Sequence, residues 1–316
     1  MKAFKIGQRG LYEGLQVSWT LGKIIFPVTI LVTILQYTPV LPWIIDLLAP
    51  AMGLIGLPGE AAMPLVLGNV LNIYAAIGAI VSFDFTVKEV FMMAMMLSFS
   101  HALLIESSVA SRVGVGWFMI TAIRLGLALI SGFVVHLFWK GGENLAQYGF
   151  IKSVNLELNS WTEIFLHGFK TATIASLQLA MIVIPLMIIV QFFRELGWLQ
   201  VLSNWLSPFT SFLGMKKNTS LTLVAGLTIG LAFGAGVMIQ AVREDNVEKK
   251  DMILALIFLV TCHAVVEDTV IFIPLGIPVW PLLLIRFVTA VILTVTVAFI
   301  WNRIENYSRR GIKHEY

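Results

Sequence analysis

The chain repeats itself. Displaced by 158 positions, Pro27 falls on Pro185, Leu41 on Leu199, Pro50 on Pro208, Gly56 on Gly214, Gly68 on Gly226 and Gly78 on Gly236. A loop four residues longer in the second half then changes the displacement to 162. Lys88 meets Lys250, Glu89 meets Asp251, His101-Ala102 meets His263-Ala264, Glu106 meets Asp268, Gly114 meets Gly276 and Arg124 meets Arg286. Apolar coincidences are common in an oily chain, but proline, glycine, histidine, acid and arginine in one register are not. Each half must therefore carry a copy of one fold, and the two copies must pack on each other.

Both copies belong in a bilayer. Of 316 residues, 58% are hydrophobic and 12% charged, with a mean hydropathy of +0.90. A soluble domain is about 45–50% apolar and about 25% charged. So much apolar surface excludes a soluble enzyme, a nucleic-acid binder or a disordered scaffold. About 20 apolar residues cross the hydrocarbon core, and stretches of that order lie at 19–38, 61–82, 89–111, 115–139, 171–193, 219–242, 251–273 and 279–301. Two shorter stretches, 41–56 and 198–214, each hold a proline (Pro50, Pro208) and end on a glycine. They read as short kinked spans or as re-entrant halves. The expected fold is an all-α polytopic membrane protein of about 8–10 transmembrane helices, some broken or re-entrant.

The organisation reads as an interfacial N-terminus (1–18), a first repeat (19–139), a polar linker (140–170), a second repeat (171–302) and a basic tail (303–316). Lys2, Lys5 and Arg9 precede the first apolar run, but no small-residue cleavage site follows it, so it does not read as a cleaved signal. The single cysteine, Cys262, excludes a disulfide framework within one chain. The net charge of +3 is concentrated at the ends and in loops such as Arg243–Lys250, which places both termini in the cytoplasm. Five crossings per repeat make an inverted pair and four a parallel pair. Arg112 and Arg194 favour five, Lys216 and Lys217 favour four. The inverted pair is the expected arrangement, because such repeats build secondary transporters, with sites near the midplane at discontinuous helices.

An ionisable residue inside a span is a functional-site hypothesis with a partner to be named. The first cluster is Ser98 to Ser108, with His101 and Glu106, and its mate is Thr261 to Thr269, with His263, Glu267 and Asp268. His263 and Glu267 stand four apart on one helix face, whereas His101 has Ile105 at that distance. Two histidines with these acids suit a cation site, a proton relay or hydrogen bonding to a polar solute. His101, His263, Glu267 and Asp268 also have the chemistry of a metal site. The structural alternative pairs Glu106 with Arg124 and Asp268 with Arg286, each 18 residues apart across a hairpin.

Three further features carry two readings each. Gly226, Gly230 and Gly234 lie four apart, a close-packing face before it is a ligand contact. The matching segment carries Asn69 and Asn72, two amides that suit either a solute or an interhelical hydrogen bond. Glu60 follows the Gly56-Leu57-Pro58-Gly59 break, where a carboxylate caps a helix dipole or faces substrate. The chain has no Walker loop, no H-E-x-x-H and no G-x-S-x-G.

The two-fold pattern, the Gly56-to-Ala61 breaker and above all Cys262-His263-Ala264-Val265-Val266-Glu267-Asp268-Thr269 resemble the nucleoside-recognition, or Gate, family of bacterial inner-membrane proteins. That family includes spore maturation proteins, and it is related to concentrative nucleoside transporters and to the pore of the ferrous iron transporter. The resemblance covers nearly the whole chain, once per half, and implies two homologous Gate-type repeats. In the nucleoside transporters a glutamine-threonine-glutamate-alanine-proline-leucine stretch contacts the nucleoside. Gly59 to Leu65 is similar, but it lacks the glutamine-threonine pair and has added residues before Pro64.

The leading expectation is a secondary transporter that moves a small polar or anionic solute, nucleoside-like or not, across the bacterial cytoplasmic (inner) membrane by alternating access. Its binding residues are expected among Glu60, Asn69, Asn72, His101, Glu106, Arg124, His263, Glu267, Asp268 and Arg286. The alternatives are a divalent-metal permease and a membrane assembly or signalling protein. An enzyme is not expected, because no nucleophile stands at a workable spacing from either histidine. No cofactor and no nucleic-acid partner are implied. The partners expected are a solute or ion, membrane lipid and further copies of the chain.

Overall fold

The computed structural model describes the backbone of residues 2–112, 115–149, 160–231 and 247–312. Gly234, Gly236, most of the Arg243–Lys250 loop, the centre of the linker and the end of the tail lie outside the described residues, as do the side chains of Arg112 and Arg194. Among the described residues the fold is helical, with one isolated antiparallel bridge between Thr86 and Leu145.

The repeat register recurs in the elements. Helix α1 (Lys2–Gln36) has its mate in α8 (Trp161–Glu195), each 35 residues long with an internal proline, Pro27 or Pro185. Helix α2 (Val40–Leu54) matches α9 (Trp198–Phe212), each 15 residues. A turn of 3-10 helix follows in both, Gly59–Ala61 and Lys217–Thr219. Then α3 (Ala62–Val70) matches α10 (Ser220–Ile229). The first half continues through α4 (Ile73–Ile80), α5 (Val87–Ser100), α6 (Leu103–Arg112) and α7 (Trp117–Phe138). The second half continues through α11 (Lys249–Thr261), the short α12 (Glu267–Val270) and α13 (Val279–Ile312). Displaced by 162, the start of α5 falls on that of α11, and the start of α7 on that of α13. Gly56 and Gly214 turn the chain after α2 and α9 at φ +75° and +84°, a region open to glycine without a Cβ penalty. A Cβ at Gly56 would strike His136, and one at Gly214 would meet Ala298, the residue equivalent to His136.

Among the described residues, five stretches are long and apolar enough to cross a bilayer: Ala3–Gln36, Val87–Ser111, Trp117–Phe138, Trp161–Phe193 and Val279–Glu305. Their burial separates two roles. The Val87–Ser111 window is 89% buried, whereas the other four are 22–33% buried. A helix that is apolar all round and covered all round is a core helix, and one with an open apolar face is peripheral. Val40–Leu54 and Gly59–Val70 meet at 96°, the broken geometry expected for 41–56.

Three stretches that read as continuous are interrupted. The 61–82 stretch breaks at Leu71-Asn72, because the Asn72 side chain accepts from the Tyr74 and Ala75 N–H groups at 3.1 and 3.0 Å and starts a new helix. The 89–111 stretch breaks at His101-Ala102, and 251–273 at Cys262–Val266. Both latter breaks turn on an alanine with positive φ, Ala102 at 45° and Ala264 at 42°.

The chain forms two compact units. Unit 1 comprises Met1–Leu104, Thr121–Leu196 and Val266–Leu282, and unit 2 comprises Ile105–Ile120, Gly197–Val265 and Leu283–Tyr316. The repeats thus trade equivalent segments, 105–120 for 267–282. Unit 1 packs around α5, with Met92, Met93 and Met95 fully buried. Its linker portion folds back, so that the Phe85 N–H donates to the Tyr148 hydroxyl at 3.3 Å and Ala146 N–H to the Phe85 carbonyl at 2.9 Å. In unit 2, Phe209 stacks on Phe287 with centroids 5.7 Å apart, and Phe258 meets both edge-on at 5.9 and 6.2 Å. At the start of α11 the buried Asp251 accepts the Lys216 N–H at 3.2 Å. Its counterpart Glu89 instead closes a capping box with Thr86.

Within unit 1, α1 and α8 are antiparallel. A Cβ at Gly10 would lie 2.7 Å from the Ile188 Cα, and one at Gly14 would lie 2.9 Å from the Ile184 Cα. Gly168 lies against Ile30 and Thr33. Numbers that rise along one helix fall along the other. These equivalent helices of the two repeats therefore run in opposite directions, as an inverted pair of repeats requires. This close approach predicts that Gly14→Leu costs about 1–3 kcal/mol by overpacking. Gly7→Ala, in open space on the same helix, should be neutral or gain up to about 1 kcal/mol. Thermal unfolding of the two purified variants checks both.

Candidate functional site

Each unit builds a polar centre at a broken core helix. In unit 1, α5 ends at His101, and the Leu97 carbonyl receives both the His101 backbone N–H and the ring Nδ1–H, each at 2.8 Å. A carbonyl can only accept, so the proton of a neutral ring sits on Nδ1 and Nε2 is left as the acceptor. The next residue, Ala102, takes its left-handed turn and donates its N–H to the Gly68 carbonyl at 2.9 Å, which ties the break to α3. Arg124, from α7 and 0% exposed, donates Nε to the Phe99 carbonyl at 2.8 Å and Nη2 to the His101 carbonyl at 2.7 Å. Those are carbonyls that a terminating helix leaves without an intrahelical donor.

Onto this break unit 1 receives α12. A ring nitrogen of His101 and a carboxylate oxygen of Asp268 lie within 4.8 Å, and both residues are buried. The Tyr74 hydroxyl donates to Glu267 Oε1 at 2.5 Å, a short charge-assisted bond. Asn72 is the N-cap of α4 and so positions Tyr74 two residues on. Asn69 donates Nδ2 to the Leu65 carbonyl at 2.7 Å, while its Oδ1 is buried with no hydrogen-bond partner. Glu60 stands in the 3-10 turn that leads into α3, about 13 Å along the helix from Asn69.

Unit 2 repeats the arrangement. The His263 Nδ1 meets the Leu259 carbonyl at 2.8 Å, and Ala264 donates to the Gly226 carbonyl at 3.1 Å. Arg286, from α13 and 0% exposed, donates Nη2 to the His263 carbonyl at 3.0 Å. The acid arrives with the traded segment: Glu106 Oε1 lies 3.2 Å from His263 Nε2. Gly230, at φ +86°, occupies the position of Asn72 and packs against Ala264.

The sequence offered two arrangements, a paired histidine–acid site and an acid–arginine pair within each repeat. The contacts include arginine to main-chain carbonyl in both units, and a histidine beside an acid from the other repeat. Unit 1 assembles Asn69, Asn72, His101, Arg124, Glu267 and Asp268, and unit 2 assembles Glu106, His263 and Arg286. Tyr74 is the residue the sequence reading passed over as a ligand. Its signal was the place two residues after a capping asparagine, on a segment already marked by its amides.

The chain belongs to the nucleoside recognition (Gate) family, whose pattern matches it twice, over residues 18–124 and 176–278. It is 60% identical over 299 residues, 95% of this chain and 96% of the relative, to the uncharacterized membrane protein YvoD of Bacillus subtilis (strain 168). No solved structure matches it.

The geometry of the breaks predicts what Ala102 and Ala264 tolerate. A non-glycine residue in the left-handed region costs roughly 1–2 kcal/mol, so Ala102→Gly and Ala264→Gly should stay within about 1 kcal/mol of the parent. The β-branched Ala102→Val and Ala264→Val should lose more than about 2 kcal/mol. Melting temperatures in one detergent decide the order.

Proposed function

We propose that the protein is a secondary transporter of a small polar solute in the bacterial cytoplasmic membrane, with both termini on the cytoplasmic side. The two inverted repeats alternate access to the polar centres, and the histidine–acid pairs handle the coupling proton or cation. One observation carries this reading: each histidine is anchored by Nδ1 to its own helix, with His263 Nε2 3.2 Å from Glu106 and a ring nitrogen of His101 within 4.8 Å of an Asp268 oxygen, each acid coming from the other repeat. A group held so can gain or lose a proton without losing its anchor. Inverted repeats with broken core helices are the frame in which such pairs serve transport.

The side-chain inventory narrows the solute. Arg124 and Arg286 give part of each guanidinium to carbonyls, the Asn69 amide nitrogen engages Leu65 and Tyr74 engages Glu267. The carboxylates and the Asn69 amide oxygen are acceptors. They favour a solute that carries N–H or O–H donors, or a cation. Nucleosides and nucleobases fit the donor requirement, and the family's name is a reason to begin with them. A divalent metal is the second reading, favoured by imidazole and carboxylate within 4.8 Å in unit 1.

A thermal-shift panel of nucleosides, nucleobases, organic amines, organic acids and divalent metals tests the reading. A ligand at about 100 times its Kd adds about 2.7 kcal/mol. A nucleoside, nucleobase or amine should stabilise the parent, and Asp268→Asn and Glu106→Gln should lose that gain while remaining folded. Uptake of the same solute into vesicles should fall at least about tenfold in both variants, the loss of about 1.4 kcal/mol of interaction. Stabilisation by organic acids alone, or uptake unchanged in both variants, would refute it.

A further inference from the structure

Between α1 and α8 lies a groove of about 600 Å³ that the polar centres do not use. It sits where the inverted repeats cross. Gly14 packs on Ile184, so six residues further on Thr20 meets its own repeat equivalent, Gln178. The groove lies along the two apolar stretches Ala3–Gln36 and Trp161–Phe193, both long enough to cross a bilayer. Its walls are apolar, formed by side chains such as Phe26, Leu177 and Ile184. Four polar side chains interrupt them, of which Thr173 donates its hydroxyl to the Phe169 carbonyl of its own turn. Ser18 and Ser176 are equivalent residues under the repeat, and both hydroxyls are buried with no hydrogen-bond partner. Lys23 is exposed at the groove, with Nζ 5.4 Å from the centre of the Trp19 ring.

The two serines and Lys23 are unfavourable against lipid chains. A serine hydroxyl in a helix commonly bonds back to its own turn, and here neither does. A lysine on an open face of such a stretch requires an anion, water or a route to the interface. Water is a poor occupant of a groove with so few polar atoms on its walls.

We infer that the groove binds a long-chain carboxylate, with its head between Lys23, Ser18 and Ser176 and its chain along the apolar wall. One cation and two hydroxyl donors match a single carboxylate. A diacyl phospholipid would have to draw a larger, hydrated head away from the interface and place two chains in one groove. A second copy of the chain would leave the lysine charge unanswered unless it brought an acid of its own. The site is separate from the histidine–acid centres and stands whether or not they carry a solute.

The full chain in detergent micelles, labelled with a photoactivatable sixteen-carbon carboxylate, tests this. Label should map to 15–27 and 173–184, and unlabelled sixteen-carbon carboxylate should displace it while the sixteen-carbon alcohol does not. Lys23→Gln should weaken labelling about tenfold, as the loss of a charge-assisted contact does, and Lys23→Arg should retain it. If Lys23→Gln is not monodisperse, Ser18→Ala with Ser176→Ala replaces it, and labelling should fall at least about threefold. Equal labelling of these variants and the parent, competition by the alcohol, or stronger competition by phosphatidylglycerol would each overturn the inference.

Discussion

A helix that stops inside a membrane strands its last carbonyls, and the two fully buried arginines answer that problem here. Arg124 and Arg286 reach across from neighbouring long helices to the carbonyl of a histidine at the break. Without such a donor each stranded carbonyl would face an apolar interior at a cost of several kcal/mol. The guanidinium suits the task because it delivers several fixed donors and stays charged at any accessible pH. The left-handed alanines, the tethers to Gly68 and Gly226 and the anchored imidazoles all follow from a break that has been made stable.

The trade of segments between repeats supplies the other half of each centre. Because 105–120 joins unit 2 and 266–282 joins unit 1, histidine and acid come from different repeats. The second copy departs from the first where chemistry is concentrated. Asn72 caps a helix while Gly230 turns with positive φ, and Glu267 has Ile105 as its counterpart. The two centres thus share a frame and differ in the side chains they carry.

The repeat, the helical class, the break after α2 and most of the polar residues were legible because proline, glycine and intramembrane charge leave marks in a one-dimensional pattern. Pro50 and Pro208 announced short segments, and Gly56 and Gly214 announced their ends. The histidine–acid contacts were not legible. A traded segment sends Glu106 to a histidine more than 150 residues away, and no local pattern records that. Nor did hydropathy expose the breaks at His101 and His263. The chain stays apolar through both, and the interruption is held by tertiary contacts from an arginine and a glycine carbonyl.

The traded segments also bear on how the molecule can be made. Unit 1 requires residues 266–282, synthesised after most of the second half, and unit 2 requires 105–120, synthesised before its remaining parts exist. Neither half of the gene therefore encodes all the segments of either unit, and each polar centre is completed only by chain from the other half.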